Sequence, residues 1–465
     1  MLALATGCSS GAAVQAPVSE SAKPPPTAAP PAAQAPAPVP PPNPAPTYDF
    51  APVSKLINDA IAAHELPGAV LLVGHGGTVV FQQAYGDRKL AGEPGLDASP
   101  APAEPMTEDT IFDMASLTKP LATATAIMQL YEQGKVAFDD PVQQYLPGFN
   151  PANDPQRAKV TVRMLLTHFS GETGDVDLKD PWGLDRPDKA EGIRRALTTP
   201  LESAPGEGFR YSDINFILLG ALVESLTGET EDVYVEQNVF APLGMADTGY
   251  LPDSSLLPRI APTARDEENA GDPSKNPDFG NLLRGRVHDT TARRMGGVAG
   301  HAGLFSTAQD IGIYAQALLD RLAGRPSEFP LQQATLELMT TPQQPGHTAQ
   351  QIDKANAATR EAITTKPNKV NPLLAPNYPA IAGQNLRGFG WDIDTRLSAP
   401  RGLIFPIGSF GHTGFTGTTV WLDPGSDTYV VLLSNSIQVR GSAPIQNLRG
   451  EVATATAKAL HLYGT

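Results

Sequence analysis

The chain of 465 residues has a single thiol, Cys8, so an internal disulfide and a thiolate metal cluster are both excluded. It is also short of cations. Its 34 Lys and Arg face 49 Asp and Glu, a net charge of −15. That balance argues against nucleic acid and against charge-driven attachment to anionic lipid. No apolar run reaches the ~18 residues of a membrane-spanning helix. Residues 49–465 lack a Gly-x-Ser-x-Gly elbow, which argues against an α/β-hydrolase. What is present is a 41% hydrophobic chain, enough for one large domain or two lobes.

Cys8 follows Leu4-Ala5-Thr6-Gly7, which resembles the end of a bacterial lipoprotein signal. The apolar run before it, Met1 to Ala5, is shorter than a working signal core. Residues 13–48 are dominated by Pro and Ala, including Pro24-Pro25-Pro26 and Pro40-Pro41-Pro42. Such a stretch buries no core and favours extended, polyproline-like conformations. Residues 1–48 are therefore expected to be a partial lipoprotein-type signal with a disordered tether. That implies an exported, periplasmic or envelope protein held through lipidated Cys8. The alternative is a plain disordered tail.

The folded part is expected over 49–465. Phe50 to His64 has helical spacing. Gly68 to Asp87 reads as a hairpin: Ala69–Val73, a Gly76-Gly77 turn and Thr78–Phe81. Residues 88–108 are Pro-rich and read as a surface loop. A mainly helical stretch runs from Ser116 to about Leu322. Residues 342–386 are polar and read as a long excursion near the site. Thr418–Leu422 and Tyr429–Leu433 form a second hairpin around Pro424-Gly425-Ser426. A final helix runs from about Pro444 to Leu462. The fold class is α+β: the two hairpins pair in one antiparallel sheet covered by the terminal helices, and a helical lobe is inserted beside it.

Three motifs carry chemistry. Ser116-Leu117-Thr118-Lys119 opens the apolar-periodic run Pro120–Tyr131, so hydroxyl and amine share the first turn of a helix. Backbone N–H groups there lack helical partners. A serine needs a base to become a nucleophile, and a desolvated lysine can be one. A capped helix start would read the same way. Tyr211-Ser212-Asp213 stands between the turn Pro205–Gly208 and the apolar helix Ile214–Leu226. Its tyrosine can relay a proton if a neighbouring cation lowers its pKa, or can simply pack the turn. His412-Thr413-Gly414 leads into the strand at Thr418. It offers polar groups and close backbone approach, or merely a glycine-rich strand entrance.

In this order the three motifs resemble the serine β-lactamase and penicillin-binding-protein superfamily, in its class C-like branch. Thr107–Ala115, Val160–His168 with Ser170-Gly171, Pro242–Met245 and Gly388–Trp391 extend the resemblance over about residues 50–465. Arg286–Asp289 with Gly300–Ser306 looks like the penicillin-binding proteins of the 4B type. His288, Asp289 and His301 read as a hydrogen-bonded loop clamp, with a metal site the remote alternative.

The resemblance implies a β-lactamase/transpeptidase-like fold and acyl transfer through Ser116, with neither metal nor cofactor. Lys119, alone or with Tyr211, would take the serine proton. Tyr211 would then serve the leaving group and the deacylating water. The N–H groups of Ser116 and Phe415 would form the oxyanion hole, and Thr413 would orient a substrate carboxylate or carbonyl. His412 stands where the family often has Lys, which weakens attraction for a carboxylate and leaves room for esters. Asp213 stands where Asn is common, and a carboxylate there would hold Lys119 charged. Asn215 would either supply the missing amide or face away. The expected substrates are β-lactams or cell-wall D-amino-acid peptides. An esterase and a non-catalytic penicillin-binding sensor are the competing readings.

Overall fold

The computed structural model describes residues 47–344, 385–439 and 445–465, with isolated positions 11, 350, 353, 357 and 379. Most of the expected excursion 342–386 lies outside the described residues. The chain divides into Met1–Thr47 and a compact unit, Tyr48–Thr465.

The compact unit is built on an eight-stranded antiparallel sheet. Its strands are β1 (Gly68–His75), β2 (Thr78–Lys89), β3 (Glu104–Pro105), β7 (Leu386–Arg387), β8 (Asp392–Asp394), β9 (Phe410–Thr413), β10 (Thr419–Asp423) and β11 (Thr428–Ser434). They lie in the order β3-β2-β1-β11-β10-β9-β8-β7. The two hairpins meet as expected: β1 pairs with β11, Ala69 opposite Ser434 through His75 opposite Thr428. Gly76 and Gly77 close the first hairpin with φ of 58° and 82°. A two-residue turn of the I′ type, which follows strand twist, needs positive φ at both positions.

β1 reads as an unbroken apolar run because both of its faces are covered. Ala69, Leu71 and Val73 pack with Val53 and Ile57 of the Ala51–Ala62 helix and with Leu448 and Val452 of the Gln446–Ala459 helix. Val70 and Leu72 pack on the opposite side with Ile311 and Ala315 of the Ala308–Leu322 helix. The sheet is thus the middle of three layers, with the terminal helices on one face only. The last helix ends at Ala459, and Leu462–Gly464 forms a separate turn.

Three other expectations change. Residues 88–108 are not a plain loop, because β3 pairs with the end of β2. Buried Lys89 donates from its ammonium to the carbonyls of Leu90 and Glu93 at 3.2 Å and of Pro102 at 2.6 Å, which clamps the segment. The helical middle also contains strands: β4 (Phe112–Asp113), β5 (Gly249–Tyr250) and β6 (Leu304–Ser306) make a small sheet in the order β4-β6-β5. Finally, His412 and Thr413 are not a lead-in to a strand. They end a strand of their own, β9, with Thr413 opposite Thr419 and His412 opposite Val420.

Candidate active site

Ser116 enters the site from β4 through a sharp reversal. Ala115 has φ of +46°, unusual for a residue with a Cβ. Ser116 then lies in a one-turn 3₁₀ helix, Ala115–Leu117. Lys119 opens a π-helical turn, Lys119–Ala124, before regular α-helix begins at Thr125. The first turn of helix expected here is therefore wound unevenly, as often happens at functional sites. Asp113 fixes the approach: its carboxylate accepts from Ala115 N at 2.9 Å and from His288 N at 2.7 Å. Burial pushes that carboxyl up to about 6.

The spacing of three still brings Lys119 to the serine. Its Nζ donates to Ser116 Oγ at 3.0 Å and to the His301 carbonyl at 2.9 Å, and it pairs with Asp213 Oδ1 at 2.7 Å. Burial disfavours the charge on Lys119, but Asp213 and Tyr211 outweigh it and hold the ammonium above the usual lysine range. Lys119 is therefore charged in the resting site.

Tyr211 comes from 95 residues farther along, at the mouth of the Asp213–Thr227 helix. Its ring stacks on His168, with centroids 4.4 Å apart and planes at 30°. Lys119 Nζ lies 5.1 Å from the Tyr211 ring centre. Burial raises the phenol above its usual range, and the pull of Lys119 and Ser116 does not reverse this. The cation expected to lower it is present but outweighed.

His168, the last residue of Val160–His168, also belongs to the site. It ends the Val162–Thr167 helix in the left-handed region, with φ of 61°. Its Nδ1 accepts from Ser212 N at 3.2 Å and faces Asn215 Nδ2 at 3.1 Å. Two donors at Nδ1 put the ring proton on Nε2. Asn215 also takes a hydrogen bond from Ser170 Oγ at 2.6 Å, so it serves this buried network while Asp213 meets Lys119.

The opposite wall is β9 and its turn. His412 Nδ1 lies 2.9 Å from the Thr413 carbonyl, an acceptor, so Nδ1 carries the proton. Burial, with Arg387 and Lys119 nearby, keeps His412 well below the usual histidine range and therefore neutral. Gly414 must be glycine: a Cβ would stand 2.1 Å from Thr418 Oγ1 and 2.5 Å from the Met114 carbonyl. Thr416 Oγ1 donates to the Asp113 carbonyl at 2.7 Å, and Thr418 Oγ1 donates to that of Met114 at 3.1 Å. These bonds tie the turn to the backbone just before Ser116. Phe415 is 72% exposed at the rim.

Ser116, Tyr211, His412, Thr413, Gly414 and Phe415 line one cleft of about 480 Å³. The sequence reading missed Arg387, which lines it too and sits just before Gly388–Trp391. Arg387 is buried and pairs with Asp392 at 3.2 Å. A cation thus remains beside His412, on a different strand. Of the expected clamp, Asp289 meets His301 Nε2 at 2.8 Å and accepts from Ala292 N at 2.8 Å. The His288 ring instead lies against Phe415. Among the described residues no group of side chains has the makings of a metal site.

The family model described as Beta-lactamase matches residues 53–451. A protein of Escherichia coli (strain K12), named as a D-alanyl-D-alanine carboxypeptidase, is 32% identical over 384 residues, covering 79% of this chain and 78% of its own. The protein named N-acetylmuramyl-L-alanine amidase of Bacillus subtilis (strain 168) is 31% identical, covering 82% of this chain and 80% of its own. Among solved structures, EstCE1, titled a hydrolase with promiscuous acyltransferase activity, superposes with a TM-score of 0.58 at 22% identity, over 86% of this chain and 97% of its own. That likeness establishes the β-lactamase/transpeptidase-like fold, and the match over nearly all of the compact unit establishes the lineage: the chain belongs to the Beta-lactamase family of serine hydrolases.

Proposed function

We propose that Ser116 is the nucleophile of an acyl-transfer reaction on D-amino-acid peptides of the cell wall or on β-lactams. The observation that carries this reading is the contact of Lys119 Nζ with Ser116 Oγ at 3.0 Å, with the ammonium locked by Asp213 at 2.7 Å. A permanent cation there stabilises negative charge on its neighbours. The reactive form is the Lys119–Tyr211 pair with one proton removed, ammonium beside phenolate. The phenolate takes the Ser116 proton as Oγ bonds to the substrate carbonyl carbon. Tyr211 passes that proton to the leaving nitrogen or oxygen as its bond to carbon breaks. The phenolate then takes a proton from water, which attacks the acyl carbon, and Oγ leaves with the proton restored. The N–H groups of Ser116 and Phe415 hold the carbonyl oxygen, and Thr413 orients the substrate.

The relatives named for carboxypeptidase and amidase activity support the peptide substrate. An esterase is the second reading, favoured by the neutral His412 where a cation would grip a carboxylate. Cell-wall substrates also agree with an envelope location through lipidated Cys8, which labelling of the bacterial protein with an alkyne fatty acid tests. The test of the chemistry is intact mass over time after adding a penicillin. An adduct on Ser116 that persists indicates a peptidase or sensor, and one that decays with product release indicates a β-lactamase. No adduct, with ester turnover, selects the esterase.

A further inference from the structure

Arg449 is a cation of the cleft that the chemistry described so far leaves unused. It stands in the opening turn of the Gln446–Ala459 helix, is only 7% exposed and lines the cleft wall. The position does not favour a charge, because the positive end of the helix dipole is close. Among the described residues no carboxylate pairs with Arg449, and its Nε has no hydrogen-bond partner. Burial pushes the guanidinium down to about 10, so it is still charged at neutral pH. A buried charge without a counter-ion costs stability, and stability alone does not explain it.

What Arg449 does touch is the turn after β9. Its Nη2 donates to the Gly414 carbonyl at 2.7 Å and to the Thr418 carbonyl at 3.2 Å. Neither carbonyl would be orphaned without it. Gly414 O also accepts from Gly417 N at 3.2 Å, and Thr418 O accepts from Gly414 N at 2.8 Å. The Gly414 carbonyl belongs to the same peptide unit as the Phe415 N–H, which has no acceptor among the described residues. A cation bonded to a peptide oxygen draws electron density towards it. The N–H of that peptide becomes a stronger donor, as along any chain of polarised hydrogen bonds.

We infer that Arg449 is a positioning residue for the acyl transfer: it acts through the Gly414–Phe415 peptide, holding the turn and strengthening Phe415 N–H as an oxyanion donor. This rests on Ser116 being the nucleophile and on Phe415 N–H receiving the acyl oxygen. Negative charge gathers on that oxygen only as the tetrahedral species forms. The guanidinium therefore acts on the transition state more than on the bound substrate.

The test is kcat and KM for p-nitrophenyl acetate at pH 7, an ester with no anionic group for Arg449 to grip directly. Arg449→Ala should lower kcat by roughly tenfold with KM little changed, as for an interaction made in the transition state alone. That is less than the loss of about a hundredfold or more when an oxyanion donor is deleted outright. Guanidinium at millimolar concentration should restore kcat by entering the vacated space from the cleft. Urea, which has the same planar shape but no charge, should not. Wild-type kcat in Arg449→Ala, or repair by urea as good as by guanidinium, overturns the proposal. If Arg449→Ala does not fold, Arg449→Met decides, since it keeps an extended side chain and strands neither carbonyl. The same loss of kcat at an unchanged melting temperature supports the proposal, and a normal kcat, or a melt that falls in step with kcat, overturns it. Ser116→Ala is the control: turnover that persists in it overturns the nucleophile, a failure seen without touching Arg449.

Discussion

Asp213 holds Lys119 at 2.7 Å, which makes the amine beside Ser116 a fixed cation and not a free base. In the proposed mechanism the pair Lys119–Tyr211 must then lose a proton before it can take one from Ser116. Both groups are held above their ordinary ranges. Wild-type kcat/KM should therefore climb with pH on the alkaline side. Asp213→Asn removes the attraction that keeps Lys119 protonated, so the pair loses its proton at lower pH. The rising limb should move to lower pH by about one unit or more. A limb that does not move would show that Asp213 does not control the titrating group.

Ser116→Ala should abolish covalent labelling while leaving the fold intact. Lys119 keeps the Asp213 carboxylate and the His301 carbonyl as partners, so no buried charge is stranded. Stability should change by less than about 1 kcal/mol in a denaturant melt, as for substitutions that create neither cavity nor orphan. Equal labelling of the variant would place the nucleophile elsewhere.

The pattern at Ser116 and Lys119 was legible because a helical turn turns a spacing of three into contact, even where the turn is wound as 3₁₀ and π. The two hairpins were legible because β1 and β11 are buried on both faces and read as apolar runs. Strands β7 to β9 were not, since each spans four residues or fewer and Gly411 breaks the pattern in β9. Lys119 also depends on a backbone atom, the His301 carbonyl, and a carbonyl leaves no trace in residue type. His168 and Arg387 stand at the end of Val160–His168 and just before Gly388–Trp391. Their roles come from stacking and from strand order, which only the assembled sheet supplies.

His168→Leu should damage Tyr211 more than the fold. The imidazole Nδ1 accepts from Ser212 N, the peptide that follows Tyr211, and its ring is the surface on which Tyr211 stacks. Leucine keeps volume but strands that buried N–H and the Asn215 amide, at a cost of about 1–3 kcal/mol. It is also strained at positive φ. The expected result is a melt lowered by that amount with kcat down and KM little changed. His168→Asn tolerates the backbone and keeps an acceptor, and it should recover much of the stability but not the stacking. A stable His168→Leu with normal kcat would separate His168 from Tyr211.

Gly414→Ala pushes a methyl carbon into the Met114 carbonyl and Thr418 Oγ1. Neither can yield without moving the turn away from Ser116, because Thr418 Oγ1 itself donates to that carbonyl. A displacement near 1 Å at reacting atoms costs on the order of a hundredfold in rate. The variant should lose about that in kcat/KM while remaining folded. Near-normal turnover would mean that the position of Phe415 N relative to Ser116 is not critical.

Glu231 is one buried group through which stability should respond to pH. Thr123 Oγ1 lies 2.5 Å from Glu231 Oε1 and 2.6 Å from the Gly300 carbonyl, yet a hydroxyl has one proton to give. Both contacts are satisfied only if Glu231 is itself protonated and donates to Thr123, which donates onward to Gly300. Burial agrees, pushing this carboxyl from 4.5 up to about 7. A pKa raised on folding gives stability that is full below the unfolded value and lost as pH rises through the folded one. The fold should therefore weaken between about pH 4.5 and 7 on account of this group. Glu231→Gln supplies a permanent N–H donor of nearly the same shape. Its melts at pH 5 and pH 8 should differ less than those of wild type, by about 1–3 kcal/mol. If the variant and wild type show the same pH dependence, Glu231 is ionised in the folded protein and Thr123 is turned to it alone.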